Sequence, residues 1–385
     1  MNIVVAMSGG VDSSVAAALL QSQGHQVQGV FMKNWSPLDG QSLSDCPWEQ
    51  DQADAEAVCV HLGIPFRSIN FEREYRSQVV DYLVSEYAAG RTPNPDVLCN
   101  KEIKFAAFKE IAHEMGAEAI ATGHYVSLTD GHLVRGVDEG KDQSYFLYSL
   151  SGEQLEGAMF PVGGMPKSEV RRLATEFGLP TAAKKDSQGI CFIGHLNLKD
   201  FLAGEIGSMS GELRLLPVFV EGTMWEERAA SAAVVGEHKG SAFYTQGEKM
   251  GGYLDNRLYS KVRGVTEVPH VYVVGKDAAR NTVYVTEDRQ DPALNSKVMK
   301  LESWYATGDI SRVSMVDTMS NFPLAELSVQ VRYQQHPIAV ASFSRDENGM
   351  QVVLAETVWG ASAGQSLVVY HGNVVVGGGV LCATN

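Results

Sequence analysis

The first twenty-four residues constrain this chain more than any other stretch. Ile3–Met7 is a short apolar run, Ser8-Gly9-Gly10-Val11-Asp12-Ser13-Ser14 follows it, and a helix with Val15, Ala18 and Leu19 on one side then runs to Gly24. A strand that is apolar throughout is covered on both faces, as in parallel sheets. Glycines let backbone N–H groups approach an anion closely, and the helix N-terminus behind them adds roughly half a positive charge. Ser8, Ser13 and Ser14 add hydroxyl donors. The combination suits a polyphosphate. There is no Gly-Lys-[Ser/Thr] as in a P-loop and no Gly-x-Gly-x-x-Gly as in a Rossmann turn. Two adjacent glycines alone would indicate a tight turn with Ser or Asp capping; the full string directly after a buried strand favours the anion site.

The rhythm of strand and helix continues to about residue 126. Val27–Met32, Phe66–Phe71 and Ala119–Thr122 read as further strands. Trp48–Leu62 reads as a helix, as do a segment carrying Tyr75, Val79, Tyr82 and Leu83 and one carrying Ile103, Phe108, Ile111 and Met115, the last expected to be capped by Asn100. This is an α/β pattern with a parallel sheet covered on both faces. Asp130-Gly131 marks a hairpin, and Pro166 opens a helix with Val170, Leu173 and Phe177 on one face. Beyond about residue 205 the helical period fades. His270–Val274 and Thr282–Thr286 flank a turn, and Val329–Tyr333, Ile338–Phe343 and Gln351–Ala355 alternate like strands of a small antiparallel barrel. We expect three regions: a catalytic domain over 1–204, a central β-rich domain over 205–268 and a C-terminal β-barrel over 269–385. A chain of 385 residues buries enough core to fold without disulfides or a structural metal.

Lys and Arg number 31 against 46 Asp and Glu, a net charge of −15, which argues against a generally basic nucleic-acid coat. A local basic groove remains compatible with it. Pro166–Asp186 has five basic and three acidic residues and is expected to be such a phosphate-binding face. The N-terminus has no charged leader and no apolar run reaches the roughly 20 residues of a spanning helix, so no membrane and a cytoplasmic location are expected. The five cysteines are odd in number and include no Cys-x-x-Cys, which fits neither a secreted disulfide framework nor a zinc ribbon, and no metal site is expected among the side chains. Chemistry then falls to individual thiols. Cys99 follows Thr92-Pro-Asn-Pro-Asp-Val-Leu, whose prolines stiffen the approach, and is expected just before a helix, where the dipole, Lys101 and Lys104 would lower its pKa. Cys191 lies in Lys184-Lys-Asp-Ser-Gln-Gly-Ile-Cys191-Phe-Ile, a polar loop behind two lysines. Either cysteine taken alone is equally a small buried hydrophobe. Asp96 viewed alone is as well read as a turn aspartate after proline. Cys46, Cys59 and Cys382 receive no role, and Cys59 is expected in the core.

Ser-Gly-Gly-x-Asp-Ser resembles the pyrophosphate loop of the N-type ATP pyrophosphatases, which split ATP between its α and β phosphates and pass AMP to a carbonyl oxygen. Joined with both cysteine strings, Phe31-Met-Lys-Asn-Trp35, Ala121-Thr-Gly-His-Tyr125, Lys141-Asp-Gln-Ser-Tyr-Phe-Leu147, Val331-Arg-Tyr333 and Gly364-Gln365-Ser366, the chain closely resembles the tRNA-specific 2-thiouridylase family. The resemblance covers nearly the whole chain and is weakest between about 205 and 265. It implies an adenine nucleotide α-hydrolase-like domain and ATP-dependent replacement of O2 of the wobble uridine by sulfur, with release of AMP and pyrophosphate. It implies that Cys191 carries sulfur as a persulfide received from a donor protein, and that Cys99 is the partner thiol, which either releases that sulfur or resolves the intermediate as a Cys99–Cys191 disulfide. Asp96 would act as general base or hold the uracil. ATP phosphates would be held by Ala6, Met7, Ser8, Gly9, Gly10, Val11, Asp12 and Ser13, with Asp12 also arranging Mg2+, and adenine by Met32 and Gly123. The tRNA anticodon loop would meet Asn94, Pro95, Asp96, His124, Lys141, Asp142, Gln143, Arg332, Tyr333 and Gln365, with the target base out of its stack.

Two stretches depart from the family's pattern. Tyr244-Thr-Gln-Gly-Glu-Lys-Met-Gly-Gly252 is less basic than the usual Gly-Gln-Arg-Lys-Gly, and Glu248 weakens the case for RNA contact there. Thr223–Val235 is also atypical. Another adenylating ligase of the superfamily would not need Cys99 and Cys191 together. A tRNA-binding protein without catalysis would not need the intact loop and both thiols. A thiol-disulfide redox protein would be expected to carry Cys-x-x-Cys.

Overall fold

The computed structural model describes residues 1–36, 48–186, 198–250, 252–265, 267, 269–308, 314–347 and 349–384. Cys46 and Cys191 lie outside the described residues, as does the sequence from Ser187 to Asn197.

The N-terminal region is built on a five-stranded parallel sheet. Its strands are β1 (Asn2–Met7), β2 (Gln26–Lys33), β3 (Phe66–Asn70) and β4 (Ala119–Ala121), joined at one edge by a short strand, Ala158–Met159, in the order β3-β2-β1-β4 and then that strand. Side chains of β1 alternate between two cores. Val4 and Ala6 face one with Phe71, Tyr75 and Ile103; Ile3, Val5 and Met7 face the other with Val15, Ala18 and Cys59. That double burial explains why the strand is apolar throughout. Helices α1 (Val11–Ser22) and α2 (Trp48–Leu62) occupy the second face. The chain moves outward from β1 to β2 and β3, then returns to β4 on the other side of β1. This reversal opens a crevice outside the carboxyl ends of β1 and β4, where ligands of open α/β sheets bind.

The hairpin Val126–Thr129/His132–Arg135 turns at Asp130-Gly131, both at positive φ (51° and 79°) as the tight turn requires. It leaves the first domain and joins the barrel sheet, with Val134 opposite Val374. The central sheet is mixed. Gly211–Leu215 pairs with Ala233–His238, and the hairpin Val271–Asp277/Thr282–Thr286 pairs with it through a parallel contact between Thr282–Val285 and Glu212–Leu215. By its hydrogen bonds this hairpin is part of the central sheet, and that sheet runs past residue 268. The C-terminal strands Asn295–Leu301, Gly349–Trp359, Ile338–Asp346, Leu327–Gln330, Ser366–His371 and Val374–Thr384 pair in that order, and the last pairs back with the first. They form a closed six-stranded barrel around Met299, Val329, Val352, Leu367 and Val376; the alternation predicts a small antiparallel barrel, and the structure gives its strand number and leaves the Val271–Thr286 hairpin out of it.

Buried polar groups join the domains. The Tyr145 hydroxyl donates to Ser366 O (2.8 Å) and Val331 O (3.1 Å), and Ser366 Oγ donates to the Tyr148 hydroxyl (3.2 Å). In the central region Arg228 and Asp291, both almost fully buried, pair through two hydrogen bonds of 2.9 and 2.7 Å.

Candidate active site

The chain leaves β1 at Met7 and turns at Gly9, whose φ is +70° and whose missing Cβ would lie 2.1 Å from Asp51 O. Only glycine fits there. Gly10 is extended and precedes α1. Ser13 Oγ lies 3.1 Å from Ser8 Oγ and accepts from Ser8 N (3.2 Å). Ser14 is tied inward instead: its hydroxyl donates to Gly10 O (2.7 Å) and accepts from Thr181 (3.0 Å). Packed against the loop, Gly123 follows β4, where a Cβ would stand 2.6 Å from Ser13 N and 2.8 Å from the Asp12 carbonyl carbon. Met32 lies near the end of β2, partly buried.

Lysines surround this loop, each held by carboxylates. Asp12 Oδ1 accepts from Lys167 Nζ (2.6 Å) and from the Tyr125 hydroxyl (2.7 Å). Burial and the Asp12 charge push the Tyr125 phenol up, keeping it a donor. Asp186 gathers Lys167 (2.9 Å), Lys141 (2.7 Å) and Arg171 (2.6 Å). Burial alone would raise its pKa, but the lysines outweigh burial and hold the carboxyl well below the usual range. Lys184 Nζ donates to Gly9 O (3.0 Å), to Asp51 (2.7 Å) and to Asp54. Burial would lower its pKa; the two aspartates outweigh that and raise it.

Four of the five cations of Pro166–Asp186 are therefore engaged by carboxylates or the loop backbone, and Lys185 alone of the five is exposed without an ion-pair partner among the described residues. Lys167, Arg171 and Lys184 converge on the phosphate loop or its carboxylates, and Arg172 pairs with Glu169 and Glu176 along its own helix. Tyr125, Lys167, Lys184, Asp186, Asp51 and Asp54 did not enter the sequence-derived site. The local excess of positive charge was the legible signal for Lys167 and Lys184, and Tyr125, Lys184 and Asp186 stand inside strings that the family resemblance picked out; Asp51 and Asp54 carried no signal.

The thiol-bearing segment differs from expectation. The helix starts at Pro95, where Asn94 is the N-cap: its side chain accepts from Asp96 N (3.1 Å), and proline suits the first position because its missing N–H is not needed there. The helical run continues through Pro95–Leu98, Cys99–Ala107 and Phe108–Glu114. Asn100 is not a cap. It is buried, and its amide donates to Phe146 O (3.2 Å). Cys99 is one turn inside the helix and 1% exposed in the core, not at an exposed N-terminus. Cys99–Ala107 has the wider π-type winding, which frequently marks functional sites, and its i→i+5 bonding puts Lys104 one turn beyond Cys99. Lys104 Nζ lies 3.5 Å from Nε2 of His124, whose Nδ1 is 2.7 Å from Thr122 Oγ1. Burial, then Lys104, push the His124 pKa well below its usual value, so the ring is neutral and Nε2 accepts. His124 is thus a buried link between helix and crevice and presents no exposed face to RNA. The phosphate loop, Gly123, His124, Lys104 and the Cys99 helix form one connected wall.

The remaining tRNA candidates cluster where the first domain meets the barrel. Asp142 is buried, accepting from Gly136 N (3.0 Å), Ser144 N (3.0 Å) and Ser144 Oγ (2.9 Å), which makes it a loop organiser. Gln143 Oε1 accepts from Tyr125 N (3.0 Å), and Lys141 is held by Asp186. Arg332 donates to Gly360 O and lies over Trp359; burial lowers its pKa. Tyr333 is half-buried, its ring 4.5 Å from that of Phe146, whose carbonyl receives Asn100. Gln365 Oε1 accepts from Ser362 N (3.0 Å). Pro95 is buried and Asp96 partly exposed at the start of the helix. Among Cys59, Cys99 and Cys382, only Cys382 is exposed; burial pushes the Cys59 thiol up to about 12. Among the described residues no cluster of three or more His, Cys, Asp or Glu could hold a metal ion, and no helix is long and apolar enough to cross a membrane.

Comparison with known proteins places the chain. Three sequence profiles match it in succession: a tRNA methyl transferase HUP domain over residues 1–195, a tRNA methyl transferase PRC-barrel domain over 199–287 and an aminomethyltransferase β-barrel domain over 310–381. A tRNA-specific 2-thiouridylase MnmA of Xylella fastidiosa is 42% identical over 389 residues, covering 100% of this chain and 94% of its own length. Proteins of the same name from Shewanella amazonensis and Escherichia coli are also 42% identical, covering 98% of this chain and 94% and 96% of theirs. A solved 4-thiouridine synthetase–RNA complex with bound ATP overlaps weakly (TM-score 0.32, 18% identity, 53% of this chain and 50% of that one), too slightly to bear on the chemistry. On full-length identity at this level, the chain belongs to the tRNA-specific 2-thiouridylase family.

Proposed function

We propose that the chain thiolates C2 of the wobble uridine, position 34, of tRNA by adenylating O2 and then delivering sulfur. The observation that carries this reading is the wall just described: an anion-binding loop with Asp12 and two lysines, linked through Gly123, His124 and Lys104 to the helix that bears Asp96 and Cys99. All three matching profiles are described by methyl-group chemistry. A phosphate cradle coupled to a thiol serves oxygen activation and sulfur delivery instead.

A carbonyl oxygen leaves poorly; an AMP ester leaves readily. In the first step O2 attacks the α phosphate and pyrophosphate departs. Backbone N–H groups of Ser8–Ser13 and the α1 N-terminus would hold the departing phosphates. Lys167 and Lys184 would neutralise them by exchanging a carboxylate partner for a phosphate oxygen. Met32 and Gly123 would border the adenine. Mg2+ characteristically takes one or two carboxylates plus substrate phosphates, which suits Asp12 at the loop; it would supply charge neutralisation on the phosphates. Asp96, acting as a base on uracil N3–H, would raise electron density on O2. In the second step sulfur attacks C2 and AMP leaves with the original oxygen. With Cys191 carrying a persulfide from a donor protein, the terminal sulfur bonds to C2. Cys99 then attacks the Cys191 sulfur, leaving C2=S and a Cys99–Cys191 disulfide. Because Cys99 is buried, this step requires the helix start to open. The anticodon loop would meet Asn94–Asp96 together with Tyr333, Gln143, Lys141 and Arg332, in a cytoplasmic protein. Purified protein given ATP, unmodified tRNA and a persulfide source should yield 2-thiouridine, AMP and pyrophosphate; ADP and phosphate as the products would refute adenylation.

A further inference from the structure

The stretch Tyr244–Glu248, where the sequence departs from the family pattern, lies against the segment that leads into the Asp96–Cys99 helix. Thr245 Oγ1 is 3.0 Å from Thr92 Oγ1. Thr92 N donates to Ala363 O (2.8 Å), and Gly364 lies so close that a Cβ there would meet Thr92 N at 2.8 Å. Thr92 is thus gripped between the central domain and the barrel, two residues before the Asn94 cap.

Glu248 fixes the central-domain side of that grip. One carboxylate oxygen accepts from Thr245 N (3.2 Å), and the other pairs with Lys199, whose ammonium also lies 4.2 Å from the Tyr244 ring centroid. Lys276, half-buried behind the loop, donates to Tyr244 O (2.7 Å), while Gly247 N donates to Val273 O (2.8 Å) and Val273 N to Glu248 O (2.9 Å). The Glu248 and Lys199 side chains are only 28% and 32% exposed, so salt screens this pair less than a surface pair.

We propose that Glu248 is a positioning residue for thiolation: paired with Lys199 it orients Thr245, and through Thr245 it sets the position of Thr92–Asp96 relative to the target uridine. It does this without touching RNA. The proposal rests on the reading that Asn94–Asp96 surround that base.

The test compares Glu248→Gln, Lys199→Met and the exchange Lys199→Glu/Glu248→Lys, each with and without Thr245→Ala. Turnover, KM for ATP and for tRNA, salt dependence of tRNA affinity, and hydrogen exchange over Thr92–Asp96 are measured on the full chain. Either single substitution should lower kcat by about threefold or more, the range of coupling between contacting groups, with KM for ATP unchanged. Exchange over Thr92–Asp96 should quicken. The charge exchange should recover most of both effects, and Glu248→Gln should add little in the Thr245→Ala background. Additive losses, failure of the exchanged pair to recover, or unchanged turnover and exchange would overturn the proposal. So would tighter tRNA binding by Glu248→Gln with an altered salt slope, which would mark Glu248 as facing phosphates. Hydrogen exchange reports the positioning even if the wild-type chain fails to thiolate, so that failure would refute the functional reading separately.

Discussion

Replacing Gly123 by alanine tests whether β4 and the phosphate loop act as one unit. The added Cβ would meet Ser13 N at 2.6 Å and the Asp12 carbonyl carbon at 2.8 Å, both backbone atoms that cannot swing aside. Ordinary van der Waals contact begins near 3.4 Å, so the loop and the Thr122–His124 segment must separate by about 0.8 Å. Overpacking of this kind costs about 1–3 kcal/mol, and displacing a positioning group by about 1 Å can cost about 100-fold in rate. Both effects fall on the nucleotide. AMP formation in the presence of unmodified tRNA, measured across ATP concentrations, should show kcat/KM for ATP reduced by about tenfold or more. KM for tRNA should change less, because Thr92–Asp96 is held from the other side by Thr245 and Ala363. Gly164→Ala is the control, since its Cβ would find nothing within 4 Å. A Gly123→Ala enzyme with wild-type ATP dependence would refute the close packing of β4 on the loop.

Three further outcomes follow from burial and charge. Asp291→Ala leaves Arg228 buried without its partner and should destabilise the central region by about 3–5 kcal/mol, read by denaturant unfolding; a loss under about 1 kcal/mol would mean that the pair is solvated. Burial pushes the Lys276 ammonium down to about 8 from 10.5, with Glu248 opposing. Between those values the unfolded chain holds a proton that the native chain has released, so stability relative to Lys276→Met should rise from pH 8 to 10.5 and be flat below; parallel pH profiles would contradict this. Native alkylation near pH 8 should modify Cys382 well before Cys59 or Cys99, as peptide mapping by mass would show, whereas early loss of the Cys59 thiol would contradict its burial.

What could be read from the sequence was what local patterns specify. The strand, glycine turn and helix at residues 3–22, the Asp130-Gly131 hairpin and the barrel strands through Ile338–Phe343 and Gln351–Ala355 lie where their patterns put them, because each is decided by neighbours a few residues away, whereas the strand expected at Val329–Tyr333 runs over Leu327–Gln330. The helix carrying Cys99 was begun at the wrong asparagine. Asn94 and Asn100 can both cap, and Pro95 favours the first, but the Pro/Asn-rich composition of residues 91–99 reads as a loop and puts the start at residue 100. Burial of His124 and Asp142 depends on partners that sequence does not supply: Lys104 closing over one, and the Gly136 and Ser144 amides closing around the other. The lysines at the phosphate loop are 155 and 175 residues from Asp12 and Gly9, a separation that no spacing rule spans. The central sheet likewise unites Gly211–Leu215 with Thr282–Thr286, so its extent is a property of the pairing.

The central claim is that O2 of the uridine is activated as an AMP ester, and oxygen labelling tests it most directly. A tRNA carrying 18O at C2 of the wobble uridine is incubated with the protein, unlabelled ATP and a persulfide source, and the products are weighed by mass spectrometry. The account predicts one 18O in the phosphate of AMP for each 2-thiouridine formed, with unlabelled pyrophosphate. Thiolated tRNA accompanied by unlabelled AMP, with the 18O recovered in water or inorganic phosphate, would contradict it.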